Sequence, residues 1–322
     1  MTTVGFHASH EQLAPSPLLR AVQAAEDAGF DAAMCSDHLA PWSERQGHSG
    51  HAWSWLGAAL QATRLPFGVV TAPGQRYHPV VTAQAMATLG EMFPGRFWAA
   101  LGSGEAVNEH VTGDRWPDKP TRDARLLECV EVMRALLRGE EVTHHGLVEV
   151  DRARLWGVPG PAPGAVPPLI GAAVSPETAR RVGGWADGLI TIHQPVDQLR
   201  RVFDAFREGG GGGKPVYVQV HLSWEETEEA ALATAYDQWR TNVFDSSLAW
   251  NLELPEQFDA AARFVAPDDV RSAVLVSSDL GQHTGWLQEC AELGIDGLYL
   301  HHVGQSQRAF IEAFGAKVLP EL

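Results

Sequence analysis

A carboxylate and an imidazole stand side by side in the segment Ser36-Asp37-His38-Leu39-Ala40, directly after the apolar run 30–35. In parallel β/α proteins, residues at the C-terminal end of a buried strand lie where the chemistry takes place. An imidazole with a pKa of about 6.5 can remove a hydroxyl proton at neutral pH, and a neighbouring carboxylate can orient it. The pair predicts acid–base chemistry. The alternative is a structural role, in which Asp37 and His38 only cap a helix or hold the loop.

Other polar side chains follow apolar runs in the same way. If these runs are strands of one barrel, their ends meet at a single mouth, where His38 and Glu105 can face one substrate as base and acid. Each residue alone also has a structural interpretation, such as an acid that offsets a helix dipole. The residues in such positions are Asp37, His38 and Trp42; Ser103, Gly104, Glu105 and Asn108; His193 and Gln194; and His301 and His302.

Eight segments of strand length would position these side chains. Several begin at a glycine or polar turn and switch abruptly to polar residues, and helical stretches such as 18–28 and 286–293 precede them. This order of helix, turn, buried strand and polar loop indicates a parallel sheet covered by helices. The segments are 4–8, 29–35, 66–71, 95–101, 168–173, 186–192, 215–222 and 294–300.

Eight βα units in 322 residues predict an α/β protein with a (β/α)8 TIM barrel fold. We expect a single domain, residues 1–322, with an insertion near 237–265 that crosses the C-terminal rim. A doubly wound open sheet is the alternative. That fold normally has a glycine-rich phosphate turn after its first strand, whereas this chain has His7-Ala8-Ser9-His10-Glu11 there.

The composition excludes several classes of protein. Hydrophobic residues make up 45% and charged residues 20%, as in globular domains, and no apolar run reaches the roughly 18 residues of a membrane span. The net charge of −16 argues against nucleic acids and anionic membranes as partners. Three widely spaced cysteines and the lack of a signal-peptide pattern predict a cytoplasmic location. Histidine pairs such as His144 and His145 lack metal-ligand spacing, so no metal is expected.

The best candidate for an anion site is the segment Ala172-Ala173-Val174-Ser175-Pro176, where a strand leads into a helix that begins with proline. The free N–H groups and positive dipole of such a helix end can hold a phosphate. Glu177 in the first turn argues mildly against this, because it already offsets the dipole. An ordinary Ser-Pro helix start is the alternative.

Several motifs in order along the chain resemble the luciferase-like monooxygenase superfamily, and most closely its branch of glucose-6-phosphate dehydrogenases that use the deazaflavin coenzyme F420. The similarity extends through nearly the whole chain. The motifs are Ser36-Asp37-His38 with Pro41-Trp42, Trp53-Ser54-Trp55, Arg76-Tyr77-His78-Pro79 with 83–88, and 102–109.

This resemblance implies a (β/α)8 barrel that holds a flavin or deazaflavin at its C-terminal rim, with His38 as general base, Glu105 as an acid near the reduced ring, and Trp42 over the reacting centre. The coenzyme-binding positions it implies are Asp37, Val70, Thr71, Ala72, Ser103, Gly104 and Asn108, with the phosphate near Ala172, Ala173, Val174, Ser175, Glu177 and Thr178. The family is commonly dimeric. A homodimer would use apolar helix residues such as Trp55, Leu56, Leu60, Met86, Leu89 and Phe93, although core packing explains them equally well.

The departures from the branch concern the substrate. Two lysines that hold the sugar phosphate in the glucose-6-phosphate enzymes align with Pro195 and Ala262, which cannot offset a phosphate dianion. We therefore expect an unphosphorylated sugar-like or other alcohol, bound by residues such as His193, Gln194, Arg263 and His301. The coenzyme remains open between F420 and FMN. Two alternatives to the dehydrogenase are an FMN-dependent monooxygenase and a non-catalytic flavin-binding barrel.

Overall fold

The computed structural model describes residues 2–157, 159–160 and 162–322. Eight parallel strands form a closed barrel. The barrel closes because the strand at residues 188–192 pairs with the strand at 169–172 on one side and with the strand at 216–223 on the other. The predicted (β/α)8 fold is therefore confirmed. A short ninth strand, at residues 275–276, pairs with the strand at 216–223 outside the barrel. Two further strands form a separate hairpin. In chain order the strands are β1 (Thr3–Ala8), β2 (Ala32–Ser36), β3 (Phe67–Thr71), β4 (Phe97–Leu101), β5 (Val142–His145), β6 (Glu149–Ala153), β7 (Leu169–Ala172), β8 (Gly188–Ile192), β9 (Val216–Ser223), β10 (Leu275–Val276) and β11 (Gly297–His302).

Helices surround the barrel and bury their apolar faces against it. Many begin at a proline or at a side chain that caps the first turn, as His51, Asp118 and Ser175 do. Among the described residues, no helix is both long and apolar enough to cross a membrane. The α-helices are α1 (Pro15–Asp27), α2 (Ala52–Ala62), α3 (Pro79–Met92), α4 (Ala106–Glu109), α5 (Lys119–Leu137), α6 (Pro176–Gly183), α7 (Val196–Phe206), α8 (Glu228–Trp239), α9 (Ser246–Ala249), α10 (Pro255–Ala261), α11 (Leu280–Ala291) and α12 (Gln307–Lys317).

Three aromatic rings fill the lower half of the barrel interior. Trp98 stacks on Tyr217 at a centroid distance of 5.3 Å, and Tyr299 meets both rings edge-on at 5.6 and 5.9 Å. Gly68 faces the Trp98 ring so closely that any Cβ there would collide with it. Since these rings lie toward the strand starts, the strand ends are left to polar side chains.

Two segments depart from the simple repeat. The hairpin β5–β6, between α5 and β7, was not predicted; His144 and His145 lie in it and pair with Glu128 and Glu149. The segment 237–265 runs from the end of α8 through α9 and α10. Its Trp239 packs against Trp42 at 5.6 Å, which brings this segment to the barrel mouth.

The six apolar residues considered for a dimer interface are all core residues of this chain. None is more than 7% exposed, because helices α2 and α3 turn them toward the barrel. Core packing therefore explains them, and a homodimer would need other residues. They are Trp55, Leu56, Leu60, Met86, Leu89 and Phe93.

Candidate active site at the barrel mouth

The imidazole of His38 is paired with the carboxylate of Glu11. Glu11 Oε1 lies 2.7 Å from His38 Nδ1, and the Glu11 side chain is fully enclosed while that of His38 is 16% exposed. The hydroxyls of Ser9 and Ser36 donate to Glu11 Oε2 at 2.7 and 2.9 Å. Glu11 thus stands behind His38 and leaves the outer edge of the ring facing the mouth.

Each member of the pair favours the charged form of the other. Burial acts to raise the pKa of Glu11, but the charge of His38 and the hydrogen bonds from His38, Ser36 and Ser9 outweigh it and hold that pKa well below its ordinary range. Burial acts to lower the pKa of His38, but Glu11, helped by Glu105, outweighs burial and raises it. His38 is therefore a stronger base than a free imidazole.

Trp42 and Glu105 lie beside this pair, as predicted. The Trp42 ring meets the His38 ring edge-on at a centroid distance of 4.4 Å, and its Nε1–H donates to Glu105 Oε2 at 3.0 Å. Glu105 precedes α4, and the adjacent N–H of Ala106 donates to the Trp250 carbonyl at 3.0 Å. A base and an indole from the loop after β2 therefore meet a carboxylate from the loop after β4.

Asp37 is next to His38 in sequence, but its side chain points elsewhere. Its Oδ2 accepts from Trp53 Nε1 at 3.1 Å and Thr71 Oγ1 at 2.8 Å, and its Oδ1 accepts from Tyr77 at 3.1 Å and lies 3.5 Å from Arg76 Nη2. The expectation that the adjacent carboxylate orients the base is wrong, because Glu11 occupies that position.

Asn108 holds the loop that follows His38. Its Oδ1 accepts from the N–H of Leu39 at 2.8 Å, and Ala40 N lies 3.4 Å away. Beside it, Glu109 is buried against Arg76, whose N–H donates to Glu109 Oε2 at 2.6 Å. The segment after β4 therefore stabilises the loop that presents His38.

Small side chains lie at the ends of β3, β4 and β7, at four of the positions assigned to the coenzyme ring and at Ala172, which is assigned to its phosphate. These five positions, Val70, Ala72, Ser103, Gly104 and Ala172, are half-buried. Gly104 has φ of 84°, a conformation that favours glycine, and a Cβ there would lie 3.4 Å from the Ala72 Cβ. These strand ends therefore carry no bulky side chain at the five positions.

The predicted anion segment leads into α6 as expected. Ser175 caps the helix by accepting from Thr178 N at 3.3 Å. Arg181 donates to Glu177 at 2.8 Å and to Asp123 at 2.9 Å, and Lys119 pairs with the same Asp123. Glu177 is thus held by Arg181, and two cations stand near this helix start. Ala173 is buried and Val174 is half-buried in the same segment.

The four predicted substrate residues separate into two groups. His301 is buried at the end of β11, and His193 and Gln194 are half-buried after β8, where Gln194 donates to the Val174 carbonyl at 3.1 Å. Arg263 lies exposed in the turn after α10. In the described parts of the chain, no hydrogen bond or ion pair links Arg263 to the residues of the mouth.

Sequence reasoning missed Glu11, Gln219 and His221. Glu11 follows β1 at a switch from apolar to polar residues of the kind that marks His38, and this switch is the signal that identifies it. Gln219 and His221 alternate with apolar residues in β9. A strand covered on both sides should be continuously apolar, so that alternation was the available signal.

The mouth and the barrel together define an enzyme class, and comparison with known proteins agrees. The family model described as luciferase-like monooxygenase matches residues 1–297, and the chain belongs to this family. The prediction of a flavin- or deazaflavin-dependent oxidoreductase of the luciferase-like class is thereby confirmed.

Two curated relatives cover essentially the whole chain. The F420-dependent glucose-6-phosphate dehydrogenase of Beutenbergia cavernae is 34% identical over 333 residues, which span 100% of this chain and 98% of the relative. The protein of the same name from Mycobacterium tuberculosis is 32% identical over 339 residues, or 99% and 97% of the two chains.

Solved structures show the same fold. An F420-dependent secondary alcohol dehydrogenase in complex with an F420-acetone adduct superposes with a TM-score of 0.89 and 28% identity, over 100% of this chain and 99% of that one. The F420-dependent tetrahydromethanopterin reductase of Methanopyrus kandleri has a TM-score of 0.75 and 19% identity, over 99% of both chains. The second likeness concerns the fold alone.

Proposed function

We propose that this protein is an F420-dependent dehydrogenase that oxidises an unphosphorylated, sugar-like or other alcohol. The observation that carries the proposal is the Glu11–His38 pair, with 2.7 Å between its atoms, at the mouth of a luciferase-like barrel. An enclosed carboxylate behind a partly exposed imidazole is an arrangement suited to removing a hydroxyl proton.

The roles of the mouth residues follow from this arrangement. The outer edge of His38 accepts the alcohol proton, and Glu11 stabilises the imidazolium that results. F420 or another flavin-type coenzyme supplies hydride acceptance when bound. Glu105, which accepts a hydrogen bond from Trp42, would supply the proton that the coenzyme takes up with the hydride, and Trp42 would also shield the reacting centre from water.

One observation supports F420 over FMN. The relatives reported above are named for F420, including the solved structure that is 28% identical to this chain. Lys119 and Arg181 near α6 are paired with Asp123 and Glu177, so they do not favour either coenzyme. Ser175 and Thr178 would bind the coenzyme phosphate through the helix start.

The substrate proposal rests on charge. By the resemblance described above, the two positions that match phosphate-binding lysines are Pro195 and Ala262, neither of which carries a charge, and Ala262 is buried. Lys214 donates to the Gly183 carbonyl, away from the mouth, at 2.9 Å. A phosphate dianion needs cations or several strong donors, so a neutral alcohol fits this chain better than the sugar phosphate named for its relatives.

The test begins with coenzyme released from protein made in a host that synthesises both F420 and FMN. Mass spectrometry should identify F420. The protein should then reduce F420 anaerobically with glucose or 2-propanol faster than with glucose 6-phosphate. Release of FMN alone would point to a monooxygenase, and a preference for glucose 6-phosphate would contradict the substrate proposal. F420 bound without turnover of any alcohol would indicate a binding protein.

A further inference from the structure

Polar side chains form an array in the upper half of the barrel, beyond the aromatic rings. Gln219 Nε2 lies 3.1 Å from His221 Nε2 and 3.3 Å from His301 Nδ1. His301 Nε2 in turn lies 2.7 Å from Gln12 Oε1. We call Gln12, Gln219, His221 and His301 the mouth array.

The hydrogen-bonding direction of each group in the mouth array can be worked out from the Val303 carbonyl, which contacts Gln12. The Val303 carbonyl can only accept, so it takes a hydrogen from Gln12 Nε2, and Gln12 Oε1 is left as an acceptor. His301 must then donate from Nε2. Burial holds the pKa of His301 well below its ordinary value, so the ring is neutral and its Nδ1 accepts from Gln219.

The same reasoning fixes the other end of the array. Gln219 gives its second hydrogen to His221 Nε2. Burial lowers the pKa of His221 to about 3, so this ring is also neutral and carries its proton on Nδ1. Two groups then remain without a partner among the described residues, the Gln219 Oε1 acceptor and the His221 Nδ1–H donor.

Both groups are accessible from the mouth. Gln219 and His221 are half-buried, whereas His301 is buried. Ring contacts connect His221 to the base: His221 packs on Trp239 at 4.8 Å, Trp239 on Trp42 at 5.6 Å, and Trp42 on His38 at 4.4 Å. The array therefore lies on the same mouth, separated from His38 by two indole rings.

We propose that Gln219 and His221 bind additional hydroxyl groups of the substrate, which makes the substrate a polyol and not a simple alcohol. The two nitrogens of an imidazole face different directions, so His221 Nδ1–H points away from Gln219 and the two unpartnered groups take separate hydroxyls. One hydroxyl can donate to Gln219 Oε1 and another can accept from His221 Nδ1–H. An ammonium group cannot accept from His221 and a phosphate dianion cannot donate to Gln219, so neither kind of group can occupy both positions. This inference rests on the proposed function and names its substrate class.

The first experiment reads binding directly. Histidine is labelled with ¹⁵N in the His38→Ala holoenzyme, which cannot turn over, and cyclohexanol or 1,2-, 1,3- or 1,4-cyclohexanediol is added. His221→Phe assigns the His221 signals. A diol should shift the His221 Nδ1 signal, and cyclohexanol should not. Diols that leave this signal unmoved, or a His221 protonated on Nε2, would overturn the inference even if F420 is reduced.

The second experiment uses turnover of F420 by the same four alcohols. One diol should exceed cyclohexanol by at least about 10-fold in kcat/KM, since an unpaired buried polar group costs roughly that factor or more. Gln219→Leu and His221→Phe should lower kcat/KM for that diol more than for cyclohexanol and so abolish most of this preference.

His302→Phe is the matched control. His302 is adjacent to His301 but stacks on Phe310 of α12 at 4.9 Å, on the outer side of the strand. The His302→Phe variant should keep the preference for the diol over cyclohexanol. Equal turnover of diols and cyclohexanol by the parent, or a preference that survives in both array variants, would contradict the inference. Failure to oxidise any alcohol would contradict the proposed function, while the NMR result still decides the role of the array.

Discussion

Two sets of imidazoles share the barrel mouth, and their pKa values are shifted in opposite directions. His38 faces an enclosed carboxylate, which raises its pKa. His221 and His301 face the amide of Gln219, and burial keeps them neutral. Burial is common to both sets, so the difference comes from the partner: a carboxylate offsets the desolvation of a charged ring, whereas an amide does not.

The two sets of histidines are suited to different roles: His38 to proton transfer, and His221 and His301 to recognition of the substrate. A proton acceptor must change its charge during turnover, and Glu11 stabilises the charged form of His38. A recognition group must keep one fixed pattern of donors and acceptors, and a neutral ring between two amides does so. The following four predictions each change one side of the comparison.

The largest effect is expected for His38→Ala. The variant should bind coenzyme but lose at least about 10²-fold in the rate of coenzyme reduction, since a general base contributes 10²–10⁴-fold. Single-turnover reduction and coenzyme retention after gel filtration measure the two properties. A rate within twofold of the parent would rule out His38 as the base.

The second prediction concerns the stability of the folded protein and two other buried histidines, which are neutral like His221 and His301. Burial lowers the pKa of His302 to about 3 and that of His7 to about 4, so both are neutral in the folded protein and take up protons only on unfolding as the pH falls below 6.5. The free energy of unfolding should therefore decrease from pH 7 to pH 5, by roughly 1–2 kcal/mol for each such group.

His302→Phe isolates one of these groups. Urea unfolding at the two pH values should show a smaller decrease in the variant than in the parent, by about that amount for one group. An identical pH dependence in the two proteins would mean that His302 is already protonated in the folded state.

The third prediction removes the charge behind the base. Glu11→Gln should lower kcat/KM roughly 10-fold, less than the loss of His38, because the base remains but its orientation and charge stabilisation are lost. In the parent, kcat/KM should rise with pH as His38 loses its proton, with an inflection above the ordinary value of 6.5. The inflection should move to lower pH in the variant, and an unmoved inflection would show that Glu11 does not set the pKa of His38.

The smallest effect is expected for Trp42→Phe. The ring contact with His38 remains, but the hydrogen bond to Glu105 is lost. A few-fold decrease in kcat is expected, in line with about 0.5–1.5 kcal/mol for one hydrogen bond. Steady-state kinetics test this, and Trp53→Phe, which removes a donor to Asp37 instead, provides a comparison outside the His38 contact.

The sequence was sufficient to predict the barrel and the meeting of three site residues at its mouth. Repeated glycine turns, apolar runs and polar exits predicted all eight barrel strands, and the strand-end positions of His38, Trp42 and Glu105 predicted that they would meet. The carboxylate behind His38 could not be chosen correctly, because Asp37 is adjacent in sequence and Glu11 becomes adjacent only when β1 and β2 pair. Local order cannot reveal which strands are neighbours.

The interior polar groups show a second limit. His301 was expected to bind substrate directly, yet the structure places it between two glutamine side chains, with Gln219 and His221 closer to the accessible space. A histidine at a strand end is visible in the sequence. The sequence does not show which of its nitrogens remains free, since that depends on partners from β9 and on the residues after β1.

The complete enclosure of Glu11 has a consequence for the timing of turnover. Solvent reaches the pair only at His38, whose side chain is 16% exposed while that of Glu11 is 0% exposed. In the proposed reaction, a proton taken up by His38 can therefore leave to solvent only from the side of His38 that faces the mouth. A product still bound at the mouth would cover that side, so proton release would follow product release, and small buffer molecules should not accelerate a cycle limited by this step.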